Sequence, residues 1–349
     1  MHRRVHLFFS PKRKNTRVSV GVCVVLICVL FAVSKITTTF NRHGLTPVNI
    51  YRIIFSRGVD LHETDGRINV LLLGVGGNGH EGGDLTDSML IVSVGTVDKT
   101  MAIVSIPRDI WSNTLKDKIN SAYHYGEEQN PGGGLQLARA IVEEITGVPI
   151  HYSLLFDFSV FADAVDFVGG IDVDVSSAFT DTKYPIAGKE NDSCGGDPEF
   201  LCRYKAVAFG LGVTHMDGAR ALEYVRSRHS EGAEGSDFAR SRRQQEVLLA
   251  IRSKGMKFAN WFGMLGRMDL IKEINRKAKT DMTISEMLTY GKILQRTDTN
   301  SIRKIAIEQL FGNPQEDLYD GKYVLIPKED YETVHTFITH SILQSETKE

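Results

Sequence analysis

Arginine recurs in three short stretches whose make-up suits a ligand rich in phosphate oxygens. "SIPRD" carries Arg108 and Asp109, "YVRSRH" carries Arg226, Arg228 and His229, and "DFARSRRQQ" carries Asp237, Arg240, Arg243 and Gln244. A guanidinium is a planar fork that stays charged and binds phosphate through two parallel hydrogen bonds. Pro107 fixes the exit of a strand, so Arg108 projects from a strand end, where ligands bind in α/β sheets. Arg240, Arg243 and Gln244 stand at i, i+3 and i+4, which puts them on one helical face. A pyrophosphate calls for several such forks and usually a divalent cation. Any one of these arginines also reads as part of a solvated helix face. Three clusters beside a glycine- and acid-rich loop favour an anion site.

That loop opens with "GVGGNG", Gly74–Gly79, directly after "INVLLL". Its spacing is G-x-G-x-x-G. A dinucleotide-binding turn must open a helix whose N-terminus takes the pyrophosphate. Here "HEGGDLTD" and then the strand-like "SMLIVSV" follow. A P-loop is excluded as well, because no Gly-Lys-Ser/Thr is present. What remains is a set of backbone N–H groups able to form an anion-binding nest. Two acids, Asp84 and Asp87, follow it and can ligate a hard cation.

The elements that must position these residues follow from periodicity. "RINVLLLG" is a short apolar run bounded by glycine, hence a buried strand. "SMLIVSVGTVDKTMAIVSIP" gives two strands around a turn. "GGLQLARAIVEEITG" has helical spacing and stops at Gly147, a C-cap. "VPIHYSLLFD" predicts a strand, "FSVFADAVDFVGG" a helix and "IDVDVS" a half-buried strand. Residues 180–212 read as a long polar loop. "MDGARALEYVRSRH" predicts a helix, and the segment from Gly235 a long amphipathic one with Asp237 as its N-cap. "TISEMLTYGKILQ" and "DYETVHTFITHSIL" read as helices, "RKIAIEQL" and "KYVLIP" as strands. Strands alternating with helices give an α/β fold, a sheet covered by helices.

The 349 residues are 42% hydrophobic and 24% charged, a globular composition. The net charge of −2 hides an asymmetry. Residues 1–17 hold six basic side chains, and no acid precedes Asp60. Residues 18–34 are uncharged and about long enough to cross a bilayer. The basic flank comes first, which predicts a cytoplasmic N-terminus and an extracellular bulk. The run is longer than a signal-peptide core and has no small-x-small exit. The expected layout is a basic cytoplasmic tail 1–17, a transmembrane signal anchor 18–34, a tether 35–66 and an extracellular domain 67–349. Nucleic-acid binding is disfavoured, because the expected extracellular domain is not basic. Cys194 and Cys202 lie in "NDSCGGDPEFLCRY", too far apart for a C-x-x-C motif. In an exported domain they are expected to close a loop disulfide, two buried thiols being the other reading.

In order along the chain, "VLLLG", "LTDSMLIVSV", "IVSIPRD", "KINSAYHYG", "GGIDVDV", "MDGARALEYVRSRH" and "DFARSRRQQEVL" resemble the LytR-CpsA-Psr family of cell-envelope proteins. The resemblance implies an α-β-α fold around a central mixed β-sheet. It also implies a phosphotransferase that moves a glycopolymer from a polyprenyl-pyrophosphate carrier to cell-wall peptidoglycan at the membrane, with Mg2+ or Mn2+. Asp87 matches the family's metal-binding aspartate, and Arg108, Arg226 and Arg228 its phosphate-binding arginines. Asp237, Arg240 and Gln244 match the acid, arginine and glutamine of its helix-start motif, with Asp237 as base or orienting acid. Lys118 and Asn120 match its "KIN" motif. Two positions depart from the pattern: Gly76 stands where many members carry aspartate, and Leu85 where they carry arginine. Asp84, in the same loop, is the replacement carboxylate we infer. The competing functions are a lipid-pyrophosphate hydrolase and a non-catalytic lipid-binding scaffold or regulator.

Overall fold

The computed structural model describes residues 46, 48–49, 51–52, 58–77, 82–258, 277–298 and 302–344. The basic tail and the apolar run 18–34 lie outside the described residues. Among the described residues no helix is long and apolar enough to cross a membrane. The chain divides into two units. The smaller comprises residues up to Val59 with Thr283–Thr289, and within it Thr289 Oγ1 accepts the Val59 amide at 3.1 Å. The larger comprises Asp60–Met282 and Tyr290–Glu349.

A six-stranded sheet carries the larger unit. Its order is Lys279–Thr280, Tyr152–Asp157, Arg67–Val75, Thr86–Gly95, Met101–Ser105, Ile302–Ala306. Tyr152–Asp157 runs parallel to Arg67–Val75, and Ile302–Ala306 parallel to Met101–Ser105. The other three pairings are antiparallel, so the sheet is mixed. The run Arg67–Val75 is buried along almost its whole length. A strand covered on both faces reads as continuous rather than alternating apolar sequence.

Side chains leave a strand alternately on its two faces. On one face Leu71, Leu73, Met89, Ile91 and Val104 pack with Ala138, Ile141 and Ile145 of the helix Gly134–Thr146 and with Ile338 of the helix Tyr331–Leu343. Each such buried aliphatic side chain contributes about 1.5–3 kcal/mol. Gly147 ends the first of these helices at φ 68°, the left-handed geometry that favours glycine. The opposite face meets the long helix Asp237–Phe258. There Gln244 Nε2 donates to Ser88 Oγ and Gln245 Nε2 to Ser105 Oγ, both at 2.8 Å.

A second apolar cluster joins Val165, Ile171, Val173, Phe179, Phe209, Met216, Tyr224 and Val247. It bears out one expectation and corrects another. The alternating segment Ile171–Val175 is a half-buried strand, paired with Gly212–Met216 in a ribbon separate from the sheet. Residues 180–212 are not one polar loop. Phe179–Pro185 and Tyr204–Phe209 form an antiparallel hairpin stem, and Phe179, Tyr184, Val207 and Phe209 fill the second cluster. A register shift between Asp181 and Tyr184 breaks the alternation, which hides the strand from a period-two reading. Beyond the stem, Cys194 and Cys202 form a disulfide with Cα atoms 5.5 Å apart.

Candidate active site

The connection from Val75 to Thr86 sets the first wall of the site. These two residues pair across adjacent antiparallel strands, so the glycine loop joins two strands, and none of its described residues is helical. Gly77 holds φ 81° there, with its N–H on the Gly83 carbonyl at 2.8 Å. Residues 78–81 lie outside the described residues. Thr86–Gly95 then pairs with Met101–Ser105, Leu90 opposite Ser105. That register, continued three residues past Ser105, brings Asp87 opposite Arg108. Arg108 Nη1 donates to Asp87 Oδ1. Asp109 is buried beside it, its Oδ2 3.5 Å from Arg108 Nε and its Oδ1 2.8 Å from Lys118 Nζ.

The long helix supplies the second wall. Held to the sheet by Gln244 and Gln245, it sets Asp237, Arg240, Ser241 and Gln244 along a cavity of about 190 Å3 that Asp87, Ser88, Arg108 and Asp109 also line. Arg240 Nη1 and Asp237 Oδ1 lie 2.5 Å apart. Asp237 is not the N-cap. Ser236 Oγ accepts the Ala239 N–H at 3.2 Å and caps the helix, while Asp237 is its first residue. The reason is geometric: the capping side chain belongs to the residue before the first helical turn, and that position falls on serine.

The three residues placed on one helical face separate. Arg240 and Gln244 line the cavity, but Arg243 does not. Fully buried, it donates from Nη2 to the Ser227 carbonyl at 2.6 Å and from Nη1 to the Glu234 carbonyl at 3.0 Å. Its guanidinium stacks over Phe179, 4.5 Å from the ring centroid. An i+3 step rotates about 60° short of a full turn, enough here to move a side chain from the cavity into the second apolar cluster.

Arg226 ends the helix Gly218–Arg226, and Arg228 lies past it. The Arg226 guanidinium rests 4.0 Å from the Phe158 ring centroid, a cation–π contact. Asp181 Oδ2 accepts the Arg228 N–H at 2.9 Å and fixes its backbone. Burial pushes the Arg228 guanidinium down to about 10, the charges of Arg240 and Arg108 push the same way, and Asp87 and Asp237 oppose them. Burial also lowers Arg240, against the pull of Asp237, with Arg108 adding to the lowering. Three guanidinium groups thus crowd two carboxylates in a half-dry site, an arrangement that a multiply charged anion relieves.

Asp84 is engaged by a histidine. Its Oδ2 is 2.6 Å from His124 Nδ1, and burial plays the lesser part there, the Asp84 bond holding the His124 pKa above its usual value. Among the described residues the grouping of three potential metal ligands is Asp192, Cys194 and Cys202. Both cysteines are spent in the disulfide, so it offers no thiolate. Asp87 gives one oxygen to Arg108 and has the other for a cation. Mg2+ typically takes one or two carboxylates plus substrate phosphates and waters, so this donor set fits an ion shared with a bound pyrophosphate rather than a closed protein cage.

The third wall comes from the C-terminal segment and is absent from the sequence reading. Ile302–Ala306 lies beside Met101–Ser105 and delivers Glu308 to the cavity. The Leu325 N–H donates to the Asp109 carbonyl at 2.9 Å, which brings Tyr323 and Leu325 to the cavity as well. Glu308 follows the strand-like "RKIAI" by one residue, so the strand-end rule was a usable signal. Tyr323 and Leu325 carry none.

The LytR_cpsA_psr family model matches residues 33–337. The Polyisoprenyl-teichoic acid–peptidoglycan teichoic acid transferase TagU of Bacillus cereus is 29% identical over 238 residues. The match covers 67% of this chain and 66% of that relative, just under two thirds of its length. The crystal structure of B. subtilis TagU superposes with a TM-score of 0.55 at 23% identity, over 81% of this chain and all of that one. A structure titled TagT bound to LI-WTA gives 0.55 at 22%, over 82% and 95%. At those identities the two structures speak to the fold alone. With the mixed sheet, the strand-end arginine and the helix-start acid and arginine in place, the family match over most of the chain is decisive: the chain belongs to the LytR_cpsA_psr family.

Proposed function

We propose that this protein is a membrane-anchored phosphotransferase that moves a glycopolymer from a polyprenyl-pyrophosphate carrier to a hydroxyl of cell-wall peptidoglycan. The observation that carries this reading is the meeting of Arg108 and Arg240 with Asp87 and Asp237 at one cavity, with Arg228, which is not among the lining residues, close enough for its charge to act on the same four groups. The family and the name of the Bacillus cereus relative support it.

In this reading residues 18–34 anchor the chain in the cell membrane, 1–17 stay in the cytoplasm and 67–349 work outside, at the surface where a lipid carrier presents its headgroup. Arg108, Arg228 and Arg240 bind the pyrophosphate by charge-assisted hydrogen bonds. Gln244 adds an amide beside them, and Arg226, seated on Phe158 and not among the lining residues, takes a phosphate role from the family motif alone. Lys118 acts through Asp109, which it holds against Arg108. Asp237 orients Arg240. Asp87 would hold a Mg2+ or Mn2+ ion, which would supply Lewis-acid withdrawal of charge from phosphorus. An acceptor hydroxyl attacks the glycan-linked phosphorus and polyprenyl phosphate leaves.

The test is turnover of a polyprenyl-pyrophosphate glycan by the full chain in detergent, with and without a peptidoglycan acceptor. Acceptor-dependent formation of a phosphodiester-linked product is the expected result. Phosphate release that ignores the acceptor would make the protein a hydrolase, and tight binding without turnover would make it a scaffold.

A further inference from the structure

Four carboxylates line the cavity: Asp87, Asp109, Asp237 and Glu308. Asp87 pairs with Arg108, Asp109 with Arg108 and Lys118, and Asp237 with Arg240. Glu308 has no cationic partner among the described residues. Its Oε1 accepts the Ser241 hydroxyl at 2.7 Å, which fixes the carboxylate plane. Its Oε2 is buried and has no hydrogen-bond partner. A dry carboxylate oxygen left without a partner is costly, and a hydroxyl brought by a ligand satisfies it. Burial raises the Glu308 pKa and the charge of Asp237 adds to this, while the Ser241 bond and Arg240 act against it. Asp237 differs on both counts: its side chain is 55% exposed and already engaged by Arg240. At the same cavity Phe238 and Tyr323 are exposed aromatic residues, 55% and 45% accessible. Their faces suit the C–H face of a sugar ring.

We propose that Glu308 is the catalytic base that takes the proton of the attacking acceptor hydroxyl, with Ser241 holding its carboxylate in place. This rests on the transfer reading above. The hydroxyl oxygen forms the bond to the glycan-linked phosphorus. The bond from that phosphorus to the bridging oxygen breaks, and the bridging oxygen leaves with the electron pair as part of polyprenyl phosphate. The hydroxyl proton moves to Glu308 Oε2 and is later released to water. Asp237 keeps Arg240 in place and holds no proton in this step.

The experiment compares wild type, Glu308→Gln and Asp237→Asn in full-length protein, with a short-chain polyprenyl-pyrophosphate glycan as donor and a peptidoglycan oligomer as acceptor. Glutamine keeps the shape and can still accept from Ser241. Glu308→Gln is expected to lower kcat about 100-fold or more with the donor KM unchanged. It should also remove the acidic limb of the pH–rate profile, which in the wild type lies above the ordinary carboxylate range. Asp237→Asn is expected to keep that limb and to raise the donor KM. A Glu308→Gln protein within threefold of wild-type kcat, or one that retains the limb while Asp237→Asn loses it, overturns the assignment and leaves the transfer reading standing. If the wild type releases phosphate without using the acceptor, transfer fails, and the same loss in Glu308→Gln still supports a base for water. Wild type inert toward both acceptors overturns the two readings together.

Discussion

Arg243 Nη2 lies 2.6 Å from the carbonyl oxygen of Ser227, the residue between Arg226 and Arg228. A buried arginine that never reaches the cavity therefore sets the backbone from which two other arginines project. The same guanidinium holds the Glu234 carbonyl and carboxylate, at 3.0 and 3.2 Å, and so ties the segment before the long helix to the segment after Arg226.

Arg243→Ala is expected to cost about 3 kcal/mol of stability, since it leaves the buried Ser227 carbonyl and the half-buried Glu234 carbonyl without their donor and opens a cavity. Urea denaturation checks this. Arg243→Lys should recover little, because an ammonium cannot fork to two segments. Wild-type midpoints in both variants would contradict the positioning role.

Arg228 predicts the opposite sign. It is a half-buried charge crowded by Arg240 and Arg108, which the proposed function assigns to a ligand rather than to the fold. Arg228→Met should leave the protein as stable as wild type or raise its stability by about 1 kcal/mol. Binding of a polyprenyl-pyrophosphate analogue, read by calorimetry, should fall at least tenfold. Loss of stability together with unchanged binding would place Arg228 in the structure and not in the site.

Asp87 is the carboxylate with an oxygen to give a cation. Asp87→Asn should lower divalent-dependent turnover by about 100-fold or more, the scale of several kcal/mol of charge stabilisation, while Asp84→Asn changes it little because Asp84 is held by His124. A Mg2+ titration of the two variants tells them apart. The reverse ranking would return the metal to Asp84.

The Cys194–Cys202 disulfide closes a short loop at the end of the hairpin stem. For a loop this short, chain entropy gives at most about 2–3 kcal/mol, and neither cysteine lines the cavity. Cys194→Ser/Cys202→Ser should melt a few degrees lower with unchanged donor KM. Free thiols at both positions in exported protein, seen by non-reducing mass spectrometry, would refute the bridge.

From local pattern alone the sequence marked five of the six strands of the main sheet and three helices packed on it, missing the two-residue edge strand Lys279–Thr280, because a strand buried on both faces and a helix with one apolar face leave local patterns within ten residues. It also determined the chemistry available: Asp87, Arg108, Arg228, Asp237, Arg240 and Gln244 were legible from residue type and spacing. Which arginine turns toward the cavity is set by packing between distant segments. Arg240 and Arg243 differ by less than one helical turn, and the neighbouring Phe179 and Ser227, brought from distant segments, claim Arg243 for the interior. The hairpin Phe179–Phe209 escaped a local reading because a register shift breaks its period. Glu308 escaped for another reason. Its place at the cavity follows from Ile302–Ala306 docking beside Met101–Ser105, a pairing across some two hundred residues. The end of the strand is visible locally, but which strand it docks beside is not, and the burial around Glu308 exists only once that strand has docked.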